Sequence, residues 1–334
     1  MVLESHIISL KEKNHPQSVI CFLEVGFLIM SHILSTENNT VLSCLMTLLV
    51  INLEEKTQNF SIGDGDLMIV IFQECRFNGK ALLEKLKGKR VVFVGDSLNK
   101  NQWASIVCLI ESTGIPSLKP LSYKGNLIAF EVKEYNATID FYWSPLLVES
   151  NCDDPVNHRI RDRIIRIEAI ENHARHWNDA DILIFDSFTW WHEHQMTLLW
   201  GSFNSSDAIY KKVGMKLRRY EMALRTWSDW LEVQIDRNRT RLFFMSLSPS
   251  HKNATDWGMR NDQTCYEETE PISRKEYWGS QTDRKMMEIA EASINGLKRR
   301  GLDIQYLNIT QLSDYRKDAH PSIYKRNWVA PAKK

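Results

Sequence analysis

Apolar and polar positions alternate along the chain with two different periods, and this predicts strands and helices that follow one another. Four short apolar segments, each followed by a polar loop, have the length of buried strands: residues 90–94, 181–185, 241–245 and 303–307. Helical spacing of apolar residues predicts helices at residues 98–112, 159–176, 210–235 and 283–299. Such alternation predicts an α/β fold, a parallel sheet covered by helices on both faces. Residues 126–133 and 137–143 predict an antiparallel pair inserted after the first unit.

The first 74 residues differ in composition from the remainder of the chain. They are rich in aliphatic residues, and all eleven tryptophans of the chain come after them. We therefore predict a divergent N-terminal segment over residues 1–74 and one α/β domain over residues 75–334.

A membrane anchor is one interpretation of residues 18–34, which are apolar but contain Glu24 and His32. Lys11 and Lys13 precede this stretch, as a cytoplasmic flank would require. Residues 41–53 are too few to span a bilayer unaided. A core helix is the alternative, so the sequence leaves a single-pass anchor open.

Charge and cysteine spacing exclude some classes of function. Lysine plus arginine equals aspartate plus glutamate at 42 each, so a net charge of zero gives no electrostatic reason to expect nucleic acid as a partner. The six cysteines have no CxxC spacing, which argues against a zinc ribbon or a thioredoxin-like site. We predict no metal site and no bound cofactor.

The strongest chemical signal is a Gly-Asp-Ser turn between the first predicted strand and its helix. Gly95 permits a tight turn, Asp96 can cap the helix, and Ser97 then lies at the helix N-terminus, where free N–H groups favour an oxyanion. The sequence predicts Ser97 as an esterase-type nucleophile. The alternative is an ordinary strand-to-helix turn with a capping serine.

The other predicted strands also end in polar or aromatic residues. In open α/β sheets, functional sites lie at the carboxyl ends of the strands, so these residues are expected to share one rim. They include Asp186, Trp190 and Trp191 after the second strand and His251 after the third. An aromatic face can cover a sugar ring, so we predict Trp190, Trp191 and His251 as substrate-binding residues; core packing is the alternative for the two tryptophans.

Seven N-x-[ST] sequons favour a luminal, glycosylated protein. They begin at Asn38, Asn59, Asn136, Asn204, Asn238, Asn253 and Asn308. The last five lie in the predicted α/β domain and are the predicted glycosylation sites. Asparagine-rich loops that carry no glycan are the alternative.

Several sequence blocks, in order, resemble a known family. VVFVGDSLNKNQW at residues 91–103 resembles the GDS block of the plant trichome birefringence-like proteins, a PC-esterase group related to SGNH/GDSL hydrolases. Further similar blocks are CRFNG at 75–79, FYWSPLLVES at 141–150, LRTWSDWLE at 224–232, FFMSLSPSH at 243–251 and YRKDAHPSIY at 315–324. The resemblance extends over roughly residues 75–328.

The resemblance implies a three-layer SGNH-like fold and a function. Members of the family are Golgi type II membrane proteins that O-acetylate cell-wall polysaccharide, and the blocks after residue 141 are most similar to members that act on xylan. It also implies a Ser-His-Asp triad with an acetyl-serine intermediate on Ser97, and an acetyl donor as co-substrate. We therefore expect a luminal catalytic domain at the Golgi membrane, with xylan as the acceptor.

Two departures from the family pattern change this picture. The family carries its catalytic Asp and His in a DxxH block downstream of YRKDAHPS, whereas this chain continues KRNWVAPAKK to residue 334, which is expected of a truncated or mis-spliced product. We therefore name Asp318 and His320 as a surrogate catalytic dyad. Many relatives carry Asn where Asp186 stands, and an acidic group placed as an oxyanion contact would repel the developing charge unless it were protonated.

Three functions remain open on the sequence. The first is a polysaccharide O-acetyltransferase acting through Ser97. The second is a carbohydrate acetyl-esterase, which passes the same acetyl group to water. The third is a catalytically inactive polysaccharide-binding protein, which the departure at the DxxH block favours because a serine hydroxyl is a poor nucleophile without a base.

Overall fold

The computed structural model describes residues 78–114, 121–192, 195–248, 251, 253–260, 263–266, 268–274, 276–280 and 282–319. The predicted N-terminal segment, with its possible anchor and the sequons at Asn38 and Asn59, lies outside these residues, as does His320. Within the described ranges, no helix combines the length and apolar character needed to cross a bilayer.

A seven-stranded sheet forms the centre of the described chain. Five of its strands are parallel, and two antiparallel strands extend it at one edge. In chain order the strands are β1 (Arg90–Gly95), β2 (Ser122–Lys124), β3 (Leu127–Val132), β4 (Ala137–Trp143), β6 (Ile182–Phe185), β9 (Arg241–Met245) and β10 (Ile304–Leu307). Their order across the sheet is β10-β9-β6-β1-β4-β3-β2. β1 therefore lies in the middle, with parallel partners on both sides.

Helices cover both faces of this sheet. The described residues contain α1 (Gly79–Lys85), α2 (Ser97–Glu111), α3 (Glu171–Ala174), α4 (Lys216–Gln234), α5 (Arg284–Arg299) and α6 (Ile309–Tyr315). Alternate residues of β1 enter two separate cores: Val92 and Val94 pack with α4 and α5, and Val91 and Phe93 pack with α1 and α2. The predicted three-layer α/β architecture is confirmed.

The central elements follow the sequence pattern closely. The four predicted parallel strands are β1, β6, β9 and β10, and the predicted helices at 98–112 and 283–299 are α2 and α5. The predicted antiparallel pair is β3 and β4. In addition, β4 pairs in parallel with β1, so the inserted pair extends the main sheet rather than standing apart from it.

The predicted helix at residues 159–176 is wrong. Only the short α3 forms there, and it follows a strand, β5 (Ile164–Arg166). Asn151 holds this strand through two hydrogen bonds to Ile164. Its side-chain oxygen accepts from the N–H of Ile164 at 2.9 Å, and its backbone N–H donates to the carbonyl of Ile164 at 3.0 Å. Ile165 is fully buried. Strand pairing and burial thus override the helical spacing of the apolar residues.

A second, three-stranded sheet was not predicted. It consists of β5, β7 (Met196–Trp200) and β8 (Ile209–Val213), in the order β5-β7-β8. The predicted helix at residues 210–235 therefore begins only at Lys216, because residues 210–213 pair with β7 and Gly214 separates the two elements. The remaining part of that predicted helix is α4.

The carboxyl ends of β1 and β6 approach each other very closely. The N–H of Asp186 donates to the carbonyl of Val94 at 3.0 Å, and a Cβ on Gly95 would lie 2.5 Å from the carbonyl oxygen of Asp186. A Cβ contact that short does not occur without displacing one of the two backbones. Gly95 is thus required by the space between two strand ends, and the turn that follows it is fixed in position.

We expect Gly95→Ala to lower the free energy of unfolding by about 1–3 kcal/mol, the usual cost of overpacking a rigid site. Gly214→Ala is the matched control, because a Cβ at Gly214 would meet nothing within 4 Å. Urea unfolding of both variants measures the difference. Equal free energies of unfolding for Gly95→Ala and the unaltered protein would contradict the steric argument.

Candidate active site

Ser97 is the first residue of α2 and is exposed to solvent at the carboxyl end of β1. Asp96 precedes it as the N-cap: its Oδ1 accepts from the N–H of Leu98 at 2.8 Å, and its carbonyl accepts from the N–H of Lys100 at 3.0 Å. The strand-turn-helix arrangement predicted around the serine is therefore present. It presents a hydroxyl on backbone that two parallel strands hold in place.

The first turn of α2 leaves one backbone donor beside this hydroxyl. The N–H groups of Leu98 and Asn99 both interact with the Asp96 carboxylate. Among the described residues the N–H of Ser97 itself has no hydrogen-bond partner, as is usual for the first residue of a helix. An N–H in this position, together with the helix dipole, can stabilise negative charge on an oxygen that lies beside Ser97.

Asn99 is a buried positioning residue that sequence reasoning missed. Its side-chain amide donates to the carbonyls of Val94 and Ile184, both at 3.0 Å, and so joins α2 to β1 and β6. The signal was present in the sequence, because Asn99 lies one turn before Trp103 on the apolar face of the helix. A lone amide on an apolar face must find buried partners.

Asp186 was predicted as an oxyanion contact, but the structure places it beneath the turn. Asp96 and Asp186 are 0% and 1% exposed. Burial raises the pKa of Asp96 to about 6, even though the N–H groups of Leu98 and Asn99 lower it. Burial also raises the pKa of Asp186 well above its usual value, and the neighbouring charge of Asp96 raises it further. A carboxyl group with no exposure does not reach a substrate at the rim.

The two predicted sugar-binding tryptophans occupy different environments. Trp190 is half-buried; it packs edge-on against Trp143, and the guanidinium of Arg163 lies 4.2 Å from its ring centroid. Trp191 is fully buried, and its indole N–H donates to Ser187 Oγ at 3.0 Å. Trp191 therefore belongs to the core, and the substrate-binding role predicted for it does not fit this position. Trp190 keeps part of its surface at the rim.

His251 lies after β9, as predicted, but its imidazole is largely turned inward. It is 9% exposed and has a φ of +44°, and its Nε2 donates to the carbonyl of Asp314 at 2.9 Å. Burial is the main cause that lowers the pKa of His251, while the bond to Asp314 and the charge of Asp318 act in the opposite direction. In this conformation its hydrogen bonds hold the loop, so the predicted substrate-binding role has little support from its position.

The charge of Asp318 acts on His251 and opposes the lowering of the imidazole pKa by burial, a proximity that the sequence did not predict. Asp318 accepts hydrogen bonds from Arg316, from Nε at 3.0 and 3.2 Å and from Nη2 at 2.9 Å, and both side chains are largely buried. His320, the predicted partner of Asp318, lies outside the described residues. Within the described ranges no group of three or more His, Cys, Asp and Glu residues is arranged to hold a metal ion.

We expect Asn99→Ala to lower the free energy of unfolding by about 1–3 kcal/mol, because two buried hydrogen bonds of about 0.5–1.5 kcal/mol each are lost. Asn101→Ala is the matched control, since Asn101 is exposed on the same helix. Thermal and urea unfolding of the two variants test this. A larger loss for Asn101→Ala than for Asn99→Ala would contradict the role given to Asn99.

Comparison with known proteins agrees with this arrangement. Residues 75–334 match the PC-Esterase family, described as a GDSL/SGNH-like acyl-esterase family found in Pmr5 and Cas1p. The chain is 54% identical over 255 residues to "Protein trichome birefringence-like 34" of Arabidopsis thaliana, covering 76% of this chain and 62% of that protein. It is 46% identical over 273 residues to "Xylan O-acetyltransferase 14" of Oryza sativa subsp. japonica, covering 76% and 58%.

A second rice relative, "Xylan O-acetyltransferase 13", is 48% identical over 258 residues, covering 76% of this chain and 51% of that protein. The chain thus spans between 51% and 62% of the length of these three relatives. The family match extends over most of the chain and includes the Gly-Asp-Ser turn and all seven strands of the central sheet. This protein therefore belongs to the PC-esterase family of GDSL/SGNH-like acyl-esterases.

Proposed function

We propose that this chain is a polysaccharide O-acetyltransferase that transfers acetyl groups to xylan through an acetyl-serine intermediate on Ser97. The observation that carries the proposal is the exposed Ser97 at the start of α2, next to an unused backbone donor. The names of the rice relatives support transfer to xylan as the reaction. No bound cofactor is needed, because the acetyl donor enters as a co-substrate.

The proposed reaction has two halves. In the first, the Ser97 hydroxyl attacks the acetyl carbonyl of the donor; the bond to the donor breaks, and the proton of Ser97 passes through a base to the leaving group. The Ser97 N–H and the α2 dipole stabilise the oxyanion that forms between these steps. In the second half, a xylan hydroxyl attacks the acetyl-serine; the bond between the acetyl group and Ser97 Oγ breaks, and the proton of the xylan hydroxyl passes through the same base to Ser97.

The base is proposed as a surrogate pair, because the family carries its catalytic Asp and His in a DxxH block and not in the segment that contains Asp318 and His320. In a Ser-His-Asp triad the serine is deprotonated by a histidine that an acidic group orients. We propose that Asp318 and His320 supply this pair. Arg316 holds the Asp318 carboxylate, which stays close enough to influence His251. Trp190 at the rim is the proposed contact for a xylose ring.

We also propose a luminal location at the Golgi membrane, in agreement with the sequons. Asn136, Asn204 and Asn238 are exposed and accessible to a glycan. Asn253 and Asn308 are less accessible: the amide of Asn253 donates to Asp256 and Ser280, and the side-chain oxygen of Asn308 caps α6. The five predicted glycosylation sites therefore divide into three with exposed asparagines and two whose asparagine side chains make hydrogen bonds within the fold.

We expect glycans on Asn136, Asn204 and Asn238 when the chain is expressed through a secretory pathway, and lower occupancy at Asn253 and Asn308. The reason is that the last two side chains are committed to hydrogen bonds within the fold. Glycopeptide mass spectrometry measures occupancy at each site. High occupancy confined to Asn253 and Asn308 would contradict this expectation.

The decisive experiment for the proposed activity compares Ser97→Ala with the unaltered protein. Each is incubated with an acetyl donor and xylo-oligosaccharide, and acetyl on sugar and free acetate are both measured. We expect transfer to sugar and a loss of at least about 10³-fold in Ser97→Ala, since removing a serine nucleophile has an effect of this order or larger. Ser112→Ala, which removes an exposed hydroxyl at the other end of α2, is the control and should be active.

Three results would overturn or redirect this proposal. Acetate release without sugar acetylation would assign the chain as a carbohydrate acetyl-esterase. Equal transfer by Ser97→Ala and the unaltered protein would exclude Ser97 as the nucleophile. Xylan binding without any acetyl chemistry would identify a polysaccharide-binding member of the family.

A further inference from the structure

Two carboxyl groups are buried together directly under the nucleophile turn. Asp96 is the N-cap of α2, and Asp186 follows β6, the parallel neighbour of β1. The backbone of Asp186 lies against Gly95, so the two aspartates belong to strand ends that touch. Neither has appreciable exposure, which means that water does not solvate either carboxyl group.

The hydrogen bonds around this pair are incomplete. Asp96 Oδ1 accepts from the N–H of Leu98. Asp96 Oδ2 and both carboxyl oxygens of Asp186 have no hydrogen-bond partner among the described residues. Three buried carboxyl oxygens without a donor are costly, because each loses its hydration and gains nothing in exchange.

No cation compensates for the two acidic groups in the described part of the chain. The groups that act on the Asp96 carboxyl are the backbone N–H groups of Leu98 and Asn99, and the one that acts on Asp186 is Asp96. Burial is the main cause that raises the pKa of Tyr220 on α4 and of Tyr306 on β10, and the charge of Asp186 raises the pKa of each phenol further. All four groups would become anionic on ionisation, so the pocket favours retained protons.

We propose that Asp186 is a neutral carboxylic acid at neutral pH and donates its O–H to Oδ2 of Asp96. This single proton gives a partner to Asp96 Oδ2 and to the Asp186 hydroxyl oxygen. Asp96 is then held from two sides, by Leu98 N–H and by Asp186. Asp186 is accordingly a positioning residue that fixes the N-cap, and through it Ser97, rather than a group that contacts the substrate. Only this last step, the effect on Ser97, depends on the proposed function.

The proposal has a defined consequence for the pH dependence of folding. An unfolded aspartate ionises at about pH 4, whereas the buried Asp186 keeps its proton to higher pH. The unfolded state therefore gains stability from ionisation above about pH 4 while the folded state does not. Asp186 thus makes the protein less stable as pH rises from about 4 toward its folded-state pKa.

The test compares Asp186→Asn, Asp186→Leu and the unaltered protein by thermal unfolding between pH 4 and pH 8. Asp186→Asn keeps a donor toward Asp96 but cannot ionise, so its melting temperature should fall less with rising pH than that of the unaltered protein. Asp186→Leu leaves Asp96 Oδ2 without a donor and should melt at a lower temperature than Asp186→Asn at every pH. Asp229→Asn, which removes a carboxylate exposed on α4, should leave the pH slope unchanged.

Two further measurements separate this proposal from the proposed function. Carbon NMR of aspartate labelled at the carboxyl carbon should show one protonated resonance at pH 7 that is absent in Asp186→Asn. Labelling of Ser97 by a fluorophosphonate should be about tenfold or more slower in Asp186→Leu, because one hydrogen bond to a charged group is lost. The labelling rate should recover in Asp186→Asn, which keeps a donor toward Asp96.

The proposal would be overturned if the melting temperature of Asp186→Asn fell with pH as steeply as that of the unaltered protein. It would also be overturned if NMR showed both carboxyl groups ionised at pH 7, as would happen if a cation were buried between Asp96 and Asp186. Labelling of Asp186→Leu at the rate of the unaltered protein would overturn the positioning role. If no form of the protein is labelled, the proposed nucleophile fails, while the melting curves and the NMR titration still decide whether the proton is shared.

Discussion

The close contact between the ends of β1 and β6 is the constraint on which the site depends. β1 is paired on both sides and buried on both faces, so its last residues have no freedom to shift along or out of the sheet. Asp186 lies against Gly95 so tightly that no side chain fits between them. The chain must turn sharply at this point and continue as α2, and Ser97 is the first residue that reaches solvent. Its exposure follows from the sheet, because the strand and the helix leave no other path.

The exposure of Ser97 requires that polar groups be buried beneath the turn. A strand that ends inside a protein leaves backbone and side-chain groups that water cannot reach. Asn99 satisfies two strand carbonyls with one amide, and Asp96 accepts from the first turn of α2. Asp186 completes the arrangement only if it carries a proton. The layer beneath Ser97 is therefore built from three buried side chains, those of Asp96, Asn99 and Asp186.

The sequence predicted the parts of the fold that local spacing determines, and failed where distant residues decide. The strands at 182–185 and 241–245 are buried on both faces, so their apolar runs were sufficient. Residues 159–176 have helical spacing, but Ile164–Arg166 form a strand, because Asn151, thirteen residues before Ile164, pairs with that residue. Trp191 and His251 were placed correctly after their strands. Which way each side chain turns depends on the packing of α4 and of the 314–318 segment, which spacing does not encode.

Ser97 and Asp318, the proposed nucleophile and the proposed acidic group, are held by different kinds of interaction. Ser97 is fixed by strand pairing and core burial, whereas Asp318 is held by Arg316, and the adjacent Lys317 pairs with Glu268. Ion pairs that are this well buried recover little net stability, since the loss of hydration offsets the attraction, but they define geometry because breaking one leaves a charge unpaired. The position of Ser97 thus follows from the fold itself, whereas the segment that contains Asp318 is positioned by two specific ion pairs. A substitution at Arg316 would therefore displace Asp318 while leaving the sheet and Ser97 intact, which makes the two halves of the site separable by mutation.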